Sequence, residues 1–142
     1  MIDVAKTVDA DRSSVWQVMS DLDRWAEVMP TIDRISRVGE DGPITVGTRF
    51  RVRQPGLAEA VYEITAWEPG TGFTWQAKVA GVRTVASHDL RADGAGTRIR
   101  LGVEWTGPGA WLVRLLFARK TRAFITREVQ ALADLTEGRQ TS

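Results

Sequence analysis

The stretch that decides the fold is residues 84–135, TVASHDLRADGAGTRIRLGVEWTGPGAWLVRLLFARKTRAFITREVQALADL. It opens with two runs in which apolar and polar side chains alternate, the mark of a strand with one buried face. Ala86, His88 and Leu90 share a face in the first run, and Ile99, Leu101, Val103 and Trp105 do so in the second. Between them Ala92-Asp93-Gly94-Ala95-Gly96 is hairpin-turn chemistry. After Gly107-Pro108-Gly109 the period changes from 2 to 3.6, which predicts one long helix from Trp111 to about Leu135. Trp111, Leu112, Leu115, Leu116, Ala123, Val129 and Ala133 fall together on a helical projection and are the expected sheet-facing surface.

Read outward toward the N-terminus, the same punctuation repeats. Strands are predicted at Ile32–Val38, Thr48–Gln54, Ala58–Trp67 and Phe73–Val79, each followed by Gly- or Pro-containing turns. Loops this short leave no room for parallel crossovers, so the sheet is expected to be an antiparallel meander. Before it lie a strand at residues 2–8, a helix from about Arg12 to Ser20 capped within Asp9-Ala10-Asp11, and a second short helix at Leu22–Met29 that Pro30 ends. The predicted fold is α+β: a seven-stranded curved antiparallel sheet around a long C-terminal helix, with two short helices after the first strand plugging its open end. It occupies one domain, residues 1–137, with 138–142 a polar tail.

Composition narrows the function. Lys+Arg 19 against Asp+Glu 18 leaves no basic field for nucleic acid. No apolar run approaches the roughly 20 residues of a bilayer span, and the alternating N-terminus has no signal-peptide pattern. Cysteine is absent, which removes disulfides and thiolate chemistry and suits a cytoplasmic chain. One histidine and no acidic cluster of suitable spacing point to no metal site. The Gly-rich stretches are turns, not phosphate loops, so no cofactor is predicted.

The order of elements, with the segments VAKTVDADRSSVWQVMSDLDRWAEVMP, YEITAWEPGTGFTW and SHDLRADGAGTRIRLGVEWTG and the final helix, resembles the START-like superfamily with the helix-grip fold of the birch-pollen-allergen type. Within it the chain is similar to the polyketide cyclase/dehydrase-like proteins. The resemblance spans nearly the whole chain and implies a cavity between sheet and helix. It is less specific for function, since the superfamily includes carriers, cyclases, lipid-transfer domains, receptors and interaction modules.

The predicted cavity wall combines the inner faces of the strands with the helix: Tyr62, Ile64, Trp75, Ala77, Ala86, His88, Leu101, Val103 and Trp105, joined by Leu115, Arg119 and Arg122, with Trp25 near the mouth. Trp67 is out of phase with Tyr62 and Ile64 and is expected at a strand end, while Trp111 is placed to close one rim. His88 and Tyr62 are the candidate acid–base or hydrogen-bonding groups, because imidazole exchanges protons near neutrality and a phenol can donate to a carbonyl. Each has an equally physical structural reading, as a core side chain satisfied by backbone. Arg119 and Arg122 can meet a ligand carboxylate or enolate, or lie at the helix edge in solvent.

The leading expectation is a binder of a small hydrophobic or aromatic molecule, monomeric or homodimeric. The second is a cyclase/dehydratase acting on a polyketide-like substrate. By resemblance, such a cyclase is expected to carry a polar aromatic after the Trp25 helix, where this chain has Ile32. The third is an interaction module with a vestigial cavity, which predicts an exposed apolar patch elsewhere.

Overall fold

The structure, a computed structural model, describes the backbone of residues 1–141 and the side chains of residues 1–137. Its elements follow the predicted order: β1 (Ile2–Val8), α1 (Arg12–Met19), a 3-10 turn (Leu22–Arg24), α2 (Trp25–Val28), β2 (Arg34–Val38), β3 (Arg49–Arg53), β4 (Ala60–Glu68), β5 (Gly72–Val79), β6 (Val82–Asp93), β7 (Gly96–Thr106) and α3 (Ala110–Thr141). The helix continues past Leu135, and the side chains of the stretch read as a polar tail, 138–142, lie outside the described residues.

The strands form one antiparallel sheet in the order β1-β7-β6-β5-β4-β3-β2. The meander runs from β2 to β7, and β1 closes the far edge by pairing with β7, Ile2 opposite Val103 through Val8 opposite Thr97. Two positive-φ residues, Ala80 at 51° and Gly81 at 80°, make the tight β5–β6 turn between Val79 and Val82. A two-residue hairpin needs that handedness to match the twist of its strands. At the other end of β5, Gly72 lies against β6, where an added Cβ would fall 2.2 Å from the His88 carbonyl oxygen. That close approach holds the β5–β6 register around His88.

α1 forms where the sequence supplies its cap. The Asp11 side chain accepts a 2.7 Å hydrogen bond from the Ser14 amide, and Val15, Val18 and Met19 then face inward and are buried. These residues join Leu22, Trp25, Ile64, Phe73, Leu90, Ile99 and Leu101 in one core. α1 also packs on α3, whose Val129, Leu132 and Ala133 are buried. The C-terminal half of α3 is therefore covered by the sheet and by α1, whereas its N-terminal half meets the sheet on one side alone.

That asymmetry corrects the predicted helix face. Val129 and Ala133 are buried as expected, but Trp111, Leu112, Leu115 and Leu116 are exposed, at 71%, 43%, 73% and 64%. In the first turns the sheet-facing arc carries Val113, Phe117, Thr121 and Phe124 instead. Trp111 consequently does not close a rim of the cavity.

A second departure comes from a bulge. The β4–β5 register shifts between Ile64 and Ala66. The extra residue reverses the alternation beyond it, bringing Trp67 to Phe73 and to Trp16 of α1, with ring centroids 5.5 and 5.0 Å apart. Strict period-2 counting had placed Trp67 out of phase; the bulge restores it to the packed side.

Candidate ligand-binding cavity

Between the concave sheet and the first half of α3 lies a cavity of about 330 Å³. Pockets that hold small organic molecules begin near this size and are mostly apolar with a few placed polar groups. Its floor comes from alternate residues of the central strands: Trp75 and Ala77 on β5, Ala86 and His88 on β6, Leu101, Val103 and Trp105 on β7. The small side chains of Ala77 and Ala86 leave the space that the neighbouring Trp and Leu side chains border. The cavity reaches the surface where Leu57 and Ala58, the Val79–Val82 turn, Val113 and Phe117 line it; Val79 is 47% exposed there.

Of the predicted wall residues, Trp25, Tyr62, Trp75, Ala77, Ala86, His88, Leu101, Val103 and Trp105 are brought together around this space. Ile64 is fully buried in the core beyond it. Leu115, Arg119 and Arg122 point away, for the reason given for the helix face; Arg119 and Arg122 are exposed, and Arg122 donates to the Asp3 carbonyl at 3.4 Å. Trp25 is not at the mouth. It is 1% exposed at the inner end, where its indole Nε1 donates to the Met19 carbonyl at 3.1 Å.

An aromatic cluster fixes the inner end. His88 stacks on Phe73 with ring centroids 4.1 Å apart and planes 10° from parallel. Trp25 and Trp75 meet the imidazole edge-on at 5.5 and 5.9 Å. Burial pushes the His88 pKa down to about 4, the neighbouring Phe73 backbone carbonyl opposing part of the shift. The ring is thus neutral at physiological pH, and its Nδ1 is buried without a hydrogen-bond partner. Tyr62 is half-buried and packs on Trp75 at 4.9 Å. Desolvation, reinforced by the negative charge of Glu128, raises its pKa to about 12, so the phenol stays a donor.

Glu128 was not among the predicted site residues. It lies on α3 one turn beyond Phe124, 7% exposed, and lines the cavity. Its Oε1 accepts a 2.7 Å hydrogen bond from Thr31 Oγ1. Desolvation lifts its pKa to about 7, with the Thr31 hydrogen bond pulling the other way. A glutamate on a helix ordinarily reads as a solvated charge; the available signal was its phase with Val113, Phe117, Thr121 and Phe124. Among the described residues no group of three or more His, Asp or Glu is placed to hold a metal ion.

The architecture defines the class: an antiparallel sheet gripping a long C-terminal helix over an internal cavity, the helix-grip fold. The chain belongs to the family described as polyketide cyclase / dehydrase and lipid transport, whose model matches residues 1–137. Among solved structures, it is similar to the di-domain ARO/CYC StfQ from the steffimycin biosynthetic pathway, at 11% identity and a TM-score of 0.83, over 99% of this chain and 52% of that one. A mutant Thalictrum norcoclaurine synthase in complex with a transition-state analogue matches at 17% identity and 0.77, over 98% and 94%. Ara h 8.0201 matches at 14% and 0.62, over 96% and 94%. This chain spans about half the length of StfQ and of DynU16, a putative protein in the dynemicin biosynthetic locus. No curated protein matches the chain by sequence. At these identities the likeness is one of fold.

Proposed function

We propose that the protein binds a small, flat, largely apolar molecule, aromatic or polyketide-like, in the cavity between its sheet and α3. The observation that carries this reading is the cavity itself: about 330 Å³ of space walled by Trp25, Trp75, Trp105 and Phe117, with Tyr62, Thr84, Thr121 and Glu128 among its polar contacts. A core designed only for packing would fill such a space, since each void forfeits contacts. A phenol donor and a carboxyl group that is uncharged for part of the population at pH 7 suit a ligand carrying carbonyl or hydroxyl groups and no strong charge. Membership in a family described by cyclases, dehydrases and lipid transport supports the same ligand class.

The test is a ¹⁵N-resolved NMR titration with 2-naphthol. Saturable shifts centred on Ala77, Ala86, Gly102 and Val103 support the reading. Shifts confined to the outer surface, or none, contradict it.

One observation favours a second reading, a cyclase/dehydratase. A buried carboxyl with a pKa of about 7 is matched to proton transfer at neutral pH. In such an enzyme Glu128 would take a proton from a carbon between two carbonyls, and Tyr62 would donate to the oxygen that gains charge. His88, neutral and sealed among rings, acts there as an orienting wall. Turnover of a poly-β-ketone mimic that Glu128→Gln lowers about 10²-fold, with binding retained, separates catalyst from carrier.

A further inference from the structure

We propose that the exposed first turns of α3 form a docking face for an anionic lipid bilayer. Trp111, Leu112, Leu115 and Leu116 lie side by side on the outer surface of the helix, and three of the four are more than 60% exposed. Scattered apolar residues are ordinary on a protein surface, but a contiguous Trp-Leu-Leu-Leu patch marks an interaction site. It continues the arc on which Val129 and Ala133 are buried further along the helix. Nothing among the described residues covers it here.

Charge decides what covers it. Residues 110–127, AWLVRLLFARKTRAFITR, hold five cations, Arg114, Arg119, Lys120, Arg122 and Arg127, and no Asp or Glu. Among the described residues none of Arg114, Arg119, Lys120 or Arg127 is in an ion pair. A second copy meeting this patch through a two-fold contact, the commonest arrangement of copies, would bring both sets of cations together. An anionic headgroup layer instead pairs with the cations while the Trp and Leu side chains enter the acyl boundary, the pattern of helices that lie in a membrane interface. Among the described residues no helix is long and apolar enough to cross a bilayer, so contact would be with the surface.

Position gives the face a use. Val113 and Phe117, on the same turns, line the cavity where it opens, and Val79 exposes its side chain beside them. Docking by the outer surface of these turns would hold the open end of the cavity beside the bilayer, shortening the path of an apolar ligand through water. The docking face stands on Trp111, Leu112, Leu115 and Leu116, whereas the passage of a ligand rests on the binding reading.

The experiment is co-sedimentation with phosphatidylcholine vesicles prepared with and without phosphatidylglycerol. The native protein should pellet with the anionic vesicles and be released as sodium chloride is raised. Leu115→Asp with Leu116→Asp should lower partitioning at least about tenfold, and Arg114→Gln with Arg119→Gln, both exposed, should lower it by about tenfold or more. Both pairs should keep the native circular dichroism and the 2-naphthol response of the cavity. Failure of the native protein to bind anionic vesicles, or equal binding by the Asp pair, overturns the proposal. Sedimentation velocity run in parallel identifies the rival: a native dimer that the Asp pair dissociates, without vesicle binding, assigns the face to a second copy and also overturns it.

Discussion

Thr31 and Glu128, 97 residues apart in sequence, are joined by a 2.7 Å hydrogen bond from hydroxyl to carboxyl at the cavity wall. Thr31 is fully buried in the segment that follows α2, and Glu128 sits on α3, so the bond ties the helix to the chain entering β2. It is also the contact that holds the Glu128 pKa below what burial alone would give.

Thr31→Val keeps the shape and removes the donor. We expect a loss of about 1–3 kcal/mol, the cost of leaving a buried polar group unsatisfied. The loss should be greater at pH 8 than at pH 5, because the ionised carboxylate needs the donor more than the protonated one does. Urea unfolding at the two pH values measures the difference; an equal loss at both would contradict a buried carboxyl that titrates between them.

His88 and Glu128 should impose opposite pH slopes on stability. Glu128 has its folded pKa raised to about 7 from a reference of 4.5, so its contribution is fully present below 4.5 and is lost as pH rises through 7. His88 has its folded pKa lowered to about 4 from 6.5, so its contribution is present above 6.5 and is lost as pH falls through 4. Between about pH 4.5 and 6.5 the folded and unfolded chains then bind nearly equal numbers of protons at these two sites, and the slopes offset. Glu128→Gln should expose the histidine slope and make the protein less stable on acidification across that window. His88→Phe, which preserves the stack on Phe73, should expose the glutamate slope and make it less stable as pH rises. Denaturant midpoints across the window check both signs, and parallel profiles for the two variants would contradict the assignment.

Trp25 and Trp111 test the corrected helix and the aromatic end of the cavity. Trp25 contacts Phe73, Trp75 and His88 with ring centroids 5.4 to 5.9 Å away and is 1% exposed. Trp25→Ala should cost about 3–5 kcal/mol. Trp111→Ala, at 71% exposure, should change stability by no more than about 0.5 kcal/mol. A large loss at Trp111 would place that ring back in a packed interface.

These two tryptophans also mark what could be read from sequence alone. Period-2 alternation is local, so the inner faces around Trp75, Ala86 and Leu101 were legible, as were the turns that set their order. The face of α3 was not, because its apolar residues cover more of its circumference than the sheet can bury in the first turns. Choosing between Leu115 and Phe117 needs the packing of the whole sheet and the reach of α1, neither of which is local. Glu128 was hidden for the opposite reason: a lone carboxylate is buried only where a distant partner, Thr31, satisfies it. The bulge at Thr65 likewise depends on the pairing of β4 with β5 and inverts the phase of Trp67.

The claim on which the account rests is that the space between sheet and α3 is an accessible ligand cavity. Its most direct test is a fluorescence titration with N-phenyl-1-naphthylamine, comparing the native protein, freed of co-purified molecules by unfolding and refolding, with Ala86→Trp of verified fold. Ala86 lines the cavity between Trp75 and Val103 on the neighbouring strands, so the added indole should fill it. Saturable one-to-one binding that the variant loses is the predicted result. Equal binding by both proteins, or none by the native one, would contradict it.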